Sequence, residues 1–304
     1  MRNHWVLYIL LIVGLLQVSP SFSYNFTSQS VLASGNWVKI RVKETGLCKL
    51  SYEQLKQMGF KNPAEVRIFG YGGAGLSENI LERKTDDLNE LPVYQGDNFF
   101  LFYAQGPKNW YYKENSTTTE YDYSINPYSN YGYYFLSDDV GSKRRITKKE
   151  CQLSSPDTID VHNYQERQIY KKEEFNYVSS GNVWYGNKFY NGNSFSTSFN
   201  FPYIDTTKNA SVLTKTAATS VEKSVIDLSY NFGGTDLIDS IIHPQRTKDF
   251  LATESLLWNV LKPQGSNFSI SVKYRGTGIA DYASIERIIV LAYQLLDMQS
   301  TNTL

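Results

Sequence analysis

The sequence predicts a mainly β protein: a β-rich amino-terminal domain carrying one short helix, followed by an antiparallel β-sandwich. Composition is the first observation. Aromatic residues make up 15% of the chain, with 24 Tyr among them, which suits half-buried pleated surfaces. Periodicity is the second. Along Asn36 to Val42 the apolar Val38, Ile40 and Val42 alternate with Trp37, Lys39 and Arg41. That period of two marks a strand with one packed and one wet face. Buried parallel strands read instead as unbroken apolar runs.

From the amino terminus, Met1-Arg2-Asn3-His4-Trp5 precedes an apolar run from Val6 to Val18, and Ser21 and Ser23 form a small-x-small ending. A short basic head, about a dozen apolar residues and that ending describe a secretory signal peptide over residues 1–23. The run is shorter than the roughly 20 residues of a spanning helix, which argues against an uncleaved anchor. The chain is therefore expected to be exported, to the outer-membrane surface or the periplasm, where free NAD and ATP are scarce.

After the Val38–Val42 strand, Glu44-Thr45-Gly46 reads as a hairpin turn and Leu47 to Leu50 as its return strand. Ser51-Tyr52-Glu53-Gln54 is a capping box opening a short helix with Leu55 and Met58 on its apolar stripe. Gly59 is placed to end it in a left-handed conformation, and Asn62-Pro63 resets the chain into a strand at Val66. Asn98 to Tyr103 and Tyr131 to Leu136 read as further strands. Polar residues across 142–165 divide the chain, giving an amino-terminal domain over 24–150, a linker over 151–165 and a sandwich domain over 166–285. In that second domain Phe195, Thr197, Phe199, Phe201 and Tyr203 share one parity, as do Ile226, Leu228, Tyr230 and Phe232, and Phe268, Ile270, Val272 and Tyr274. The stretch from Ala283 begins like a strand and then becomes helix-like and polar, so residues 286–304 are a tail of uncertain structure.

Several chemistries can be weighed from residue types. Lys plus Arg and Asp plus Glu are both 30, so the chain lacks the basic footprint of a nucleic-acid binder. Gly70-Tyr71-Gly72-Gly73-Ala74-Gly75 satisfies G-x-G-x-x-G after a strand, but a dinucleotide fold needs a long helix opening there and a second parallel strand. Leu76 to Lys84 has room for two turns at most, so the stretch reads as a glycine turn using positive φ. After export only Cys48, Cys151, His162 and His243 remain for a thiol–imidazole pair. Cys48 reads as a small buried group in a strand, Cys151 as a linker residue, His162 as a solvated strand residue and His243-Pro244 as a strand-end turn. A Cys48–Cys151 disulfide is allowed by the compartment. No zinc or EF-hand spacing occurs, and the carboxylates of Asp86, Asp87 and Glu90 read as a solvated loop rather than a calcium site. The basic run over 143–149 is either an anion-binding patch or a wet loop. Trp110-Tyr111-Tyr112, Tyr121 to Tyr134 and Trp184-Tyr185 are either stacking platforms for sugar rings or packing.

Five stretches then carry a resemblance. They are Ser34 to Phe60, the strand leading into Gly70-Tyr71-Gly72-Gly73, Asp86 to Tyr112, Tyr128 to Ser137, and Ser179 to Phe189. In order and spacing they resemble the amino-terminal region of the PorU family, the gingipain-related sortases of the type IX secretion system of Bacteroidetes. Cys48 departs from that pattern, which usually carries an aromatic or apolar residue there. The resemblance implies that cleavage of the carboxy-terminal signal of cargo and its surface attachment belong to a later cysteine-peptidase domain. It thus implies a non-catalytic scaffold region here, with no catalytic, cofactor-binding or metal-binding residue of its own. The implied partners are that catalytic domain, outer-membrane type IX secretion components and an anionic surface glycan. The alternative is an exported β-sandwich glycan-binding module.

Overall fold

The computed structural model describes residues 26–77, 79, 86–113, 120–149, 160–179, 181–234, 236–245 and 252–296. The expected signal peptide and most of the expected linker, with Cys151, lie outside the described residues. The protein is mainly β, its sheets are antiparallel, and one short α-helix occurs among the described residues. The chain divides into two units, Met1–Cys151 and Gln152–Leu304. Among the described residues no helix is long and apolar enough to cross a membrane.

The first unit contains β1 (Val38–Val42), β2 (Gly46–Ser51), α1 (Tyr52–Gln57), β3 (Arg67–Gly72), β4 (Tyr94–Gln95), β5 (Phe99–Ala104), β6 (Lys108–Lys113), β7 (Glu120–Ile125) and β8 (Gly132–Ser137). The strands form sheets ordered β1-β8-β3 and β2-β5-β4, with β6 and β7 as a separate ribbon. The expected hairpin of β1 with β2 is therefore corrected. Val38 to Val42 pair with Leu136 to Gly132, whereas Gly46 to Ser51 pair with Ala104 to Phe99. Glu44-Thr45-Gly46 is a corner at which the chain leaves one sheet for the other. It is held from outside, because Gly106 N donates to Thr45 Oγ1 at 3.0 Å. A hairpin needs its two strands to hydrogen-bond each other, and here each finds a better-matched partner far along the chain.

The two sheets enclose a core of Leu55, Val66, Ile68, Phe100, Phe102 and Leu136, with Val38, Ile40 and Val42 packed against it. Each fully buried side chain of this size contributes about 1.5–3 kcal/mol by leaving water. Helix α1 carries the capping box read from sequence, with Ser51 Oγ accepting from Gln54 N at 3.1 Å and Ser51 N donating to Gln54 Oε1 at 2.9 Å. Its end is marked by Gly59 at φ +99°.

The second unit contains β9 (Asn163–Tyr170), β10 (Gly186–Tyr190), β11 (Ser194–Asn200), β12 (Ala210–Thr219), β13 (Ser224–Asn231), β14 (Leu237–His243), β15 (Thr253–Leu261), β16 (Asn267–Arg275) and β17 (Tyr282–Leu295). One sheet runs β10-β17-β12-β15 with β9 also on β17, and the other runs β11-β16-β13-β14. The alternating residues named from sequence point between them: Ile226, Leu228, Tyr230, Phe268, Ile270 and Val272 share one buried cluster with Val212 and Ile288.

The helix-like reading of the tail is corrected over 286–295, which is the second half of the long strand β17. This strand lies inside its sheet, pairing with β12 on one side and with β9 and β10 on the other. Ile288 to Ala292 are all buried. Burial on both faces removes the alternation by which a strand is told from a helix. Residues 297–304 lie outside the described residues. Strand β9 begins at Asn163, inside the stretch expected to be linker.

Candidate functional site

The glycine-rich stretch is not a phosphate loop. Gly70 and Gly72 belong to β3, with φ +148° and +93°. The register on β8 slips between Phe69 and Gly72. The expected simple turn is thus corrected to a bulged strand end. Residues 73–77 are irregular rather than helical; most of 78–85 lies outside the described residues. Gly73 serves a close crossing: a Cβ there would stand 2.6 Å from Gly106 C and 2.7 Å from Gly132 Cα. Three backbones meet where no side chain fits.

The sulfur and imidazole candidates are described each within its own unit, and Cys151 lies outside the described residues. Cys48 lies in β2 opposite Phe102, packed on the first core, and burial pushes its thiol up. A nucleophilic thiol needs the opposite shift. His162 is exposed in the second unit. His243 ends β14 fully buried, with Nε2 3.0 Å from Thr216 Oγ1 and Nδ1 3.3 Å from Thr253 Oγ1. Burial lowers its pKa from 6.5 to about 4, so the imidazole is neutral and held by two hydroxyls.

The acidic loop and the basic run both turn inward. Asp87 accepts from Val31 N, from Leu88 N at 2.8 Å and from Ser30 Oγ at 2.8 Å. Burial works to raise its pKa, and these donors outweigh it and hold it below the usual value. Glu90 accepts from Ser142 N at 2.6 Å and Arg144 N at 2.6 Å. Among the described residues no three His, Cys, Asp or Glu are grouped as metal ligands. Lys143 Nζ is 2.5 Å from Glu65 Oε1. Arg145 donates to Gln95 Oε1 at 2.8 Å, Ala64 O at 3.0 Å and Val66 O at 2.9 Å, with its guanidinium 4.6 Å from the Phe100 ring centre. Main-chain bonds from Val93 N to Arg144 O and Ile146 N to Val93 O fix this segment as a rib of the first unit. Lys148 and Lys149 remain exposed.

The aromatic stretches divide between surface and packing. On the β6–β7 ribbon Trp110 and Tyr123 are 5.5 Å apart, as are Tyr112 and Tyr121 at 5.6 Å, and Tyr111 and Tyr112 are about half exposed. Trp184 is 41% exposed while its neighbour Tyr185 is 6% exposed, so only the first offers a ring to a ligand.

Beneath Tyr185 lies a polar constellation of the second unit that sequence reading did not find. Tyr185 OH donates to Glu254, which also meets Lys215 Nζ at 3.1 Å. Burial alone would raise the Glu254 pKa, but the Tyr185 hydroxyl and Lys215 bring it below the usual value. Tyr177 OH is 2.7 Å from Ser284 Oγ, and its ring stacks on Tyr282 at 5.6 Å. Glu286, 4% exposed, pairs with Lys171 at 2.5 Å and Arg287 at 3.1 Å. Burial pushes both tyrosines well above the ordinary range. The only available signal was the pair Glu286-Arg287 inside an apolar run. These contacts clamp the 171–185 segment on β17. A separate open cleft of about 270 Å³ is lined by Phe232, Leu237, Val260, Leu261, Lys262 and Gln264.

No protein-family model matches the sequence, and comparison with curated proteins likewise finds no match. Among solved structures, dimeric latent PorU from Porphyromonas gingivalis matches at 27% identity and a TM-score of 0.74, over 88% of this chain and 25% of that one. The chain thus spans about a quarter of that protein's length. The carbohydrate-binding module CBM36 matches at 14% identity and a TM-score of 0.26, over 40% of this chain and 97% of that one. The delta-endotoxin Cry8Ea1 of Bacillus thuringiensis matches at 9% identity and 0.30, over 75% and 41% respectively. Scores this low carry no argument about fold or function.

Proposed function

We propose that this PorU-like region is the non-catalytic scaffold of an exported gingipain-like sortase, docking or shielding a cysteine-peptidase domain borne elsewhere in the full-length protein. The observation that carries the reading is the PorU match across 88% of the chain. The site chemistry supports it. Burial pushes the Cys48 thiol up, and His243 is neutral and enclosed by threonines. The matched PorU is described as latent, which fits a region that holds a catalytic domain rather than acting on substrate. In this reading the protein works at the cell surface with outer-membrane type IX secretion components.

Two measurements test the proposal. The reading frame that carries Leu304 should continue into, or be joined with, a domain holding a His and a Cys nucleophile. The purified chain should bind that domain and cleave no peptide in the presence of a reducing thiol. A frame with no such domain sinks the proposal, and so does thiol-dependent cleavage abolished by Cys48→Ala. Retention on a glycan array that Trp184→Ala removes would favour the glycan-binding module instead.

A further inference from the structure

We propose that the cleft at one corner of the second unit binds a small amphipathic acid, an aliphatic chain of medium length ending in a carboxylate. The inference does not rest on the sortase reading.

The cleft has a cause in the way the sandwich closes. Strand β14 ends one sheet and β15 ends the other, and side chains draw the seam between them together. His243 Nδ1 is 3.3 Å from Thr253 Oγ1, and farther along Asn259 Nδ2 donates to Asp239 Oδ2 at 2.7 Å. Beyond that tie come Leu237, where β14 begins, and Leu261, where β15 ends. Here the seam opens into a cleft of about 270 Å³ lined by both leucines and by Phe232. Phe232 is 2% exposed and belongs to the sandwich core, on which Leu261 also packs. The cleft therefore reaches from the surface to the core.

Backbone contacts set its walls. Gln264 N donates to Phe232 O at 2.7 Å, which ties the chain after β13 to the turn after β15. Gly233, at φ +75°, lies so close to Gly265 that a Cβ on it would stand 2.6 Å from Gly265 Cα. The two segments brace each other, so a ligand bears little of the cost of ordering them.

The lining selects the ligand. Leu237 and Val260 are 37% and 53% exposed, and with Leu261 they form apolar walls that gain by being covered. Lys262 and Gln264 line the same cleft and are exposed. Among the described residues no carboxylate pairs with Lys262, and the lining holds none. The acids flanking Leu237 face amides instead: Asp236 accepts from Asn231 Nδ2 at 2.6 Å and Asp239 from Asn259. The lining thus carries one charge, and it is positive. A carboxylate accepts from an ammonium and from an amide N–H. A cation is repelled, and a sugar finds no exposed ring in this lining to stack on. An apolar chain with an acid at its end uses both the walls and the rim.

Titration calorimetry of the full chain with octanoate, kept below its micellar concentration, should give a one-site isotherm. Affinity should rise about fourfold per methylene from butyrate to octanoate, as each buried CH₂ adds its share. Lys262 is exposed, so Lys262→Glu keeps the fold, as circular dichroism will verify. That variant should bind octanoate about tenfold more weakly or worse, since a charged hydrogen-bond donor is replaced by a like charge. Octan-1-ol should bind the parent chain more weakly than octanoate and should not distinguish the parent from Lys262→Glu. Val260→Asp, on the opposite strand's wall, should weaken octanoate as well. Absence of binding, several equivalent sites, affinity independent of chain length, or octanoate binding unchanged by Lys262→Glu overturns the proposal. None of these results bears on the scaffold reading.

Discussion

Arg145 shows what a single side chain does in this protein. In the sequence it is one cation in a run of them, and nothing distinguishes it from a solvated residue. In the fold it ties three segments together: Gln95 in β4, the carbonyls of Ala64 and Val66 before β3, and Phe100 in β5. Hydrogen bonds involving a charged group contribute about 1.5–3 kcal/mol. Arg145→Ala is expected to lower stability by roughly 2–4 kcal/mol in urea unfolding, and Arg145→Lys to recover only part of it because lysine lacks the planar fork. Neighbouring Lys149→Ala should change stability by less than about 0.5 kcal/mol. His243 makes a second prediction. Its pKa is near 6.5 in the unfolded chain and about 4 in the folded one. Between those values the unfolded chain takes up a proton that the folded chain refuses. Stability from this group is therefore complete above about pH 6.5 and falls as pH drops toward 4, by roughly 3 kcal/mol. Urea titrations between pH 7 and 4 should show that loss, and it should be smaller in His243→Gln. An unchanged slope in the variant would assign the acid sensitivity to other groups.

At the scale of elements, local chemistry was legible and long-range choice was not. The cap of α1 depends on residues within one turn, so Ser51 and Gln54 announce it. Ser51→Ala should cost about 1 kcal/mol in thermal unfolding. Strands β11, β13 and β16 were equally readable, because each has one wet face. The corner at Glu44-Thr45-Gly46 was not, since its turn residues suit a hairpin, and the pairing of β1 with β8 and β2 with β5 depends on residues far away. Strand β17 was lost for another reason: burial on both faces erased its alternation. The same strand hides the Glu286 bulge, where the register on β12 shifts between Lys215 and Thr216. Glu286 neutralises Lys171, itself about nine-tenths buried. Glu286→Gln leaves that ammonium with Glu173, at 3.9 Å, as its carboxylate partner and is expected to cost about 3–5 kcal/mol, while Glu286→Gln with Lys171→Met should recover much of the loss. If the double variant is no better than the single one, the pair is not coupled as described.

Among the described residues two buried cores occur, one around Leu55, Phe100 and Leu136 and one around Ile226, Tyr230 and Phe268. Calorimetry should resolve two transitions, with Leu55→Ala lowering one and Phe268→Ala the other, each by about 3–5 kcal/mol of local stability. A shared shift would mean that the cores melt together. Fold class and the PorU likeness were legible because they are spread over many strands and their spacing. The Tyr185–Glu254 and Lys171–Glu286 contacts were not, because they join residues more than sixty positions apart and no spacing rule predicts them.

The crossing of Gly73, Gly106 and Gly132 has a consequence for anyone surveying variants of this protein. Three columns of a mutational scan should go blank at these positions, because a Cβ at each would collide with neighbouring backbone. The first column falls within the G-x-G-x-x-G pattern. Intolerance there would invite an assignment to nucleotide chemistry, when its cause is the absence of room for a single methyl group between strangers in sequence.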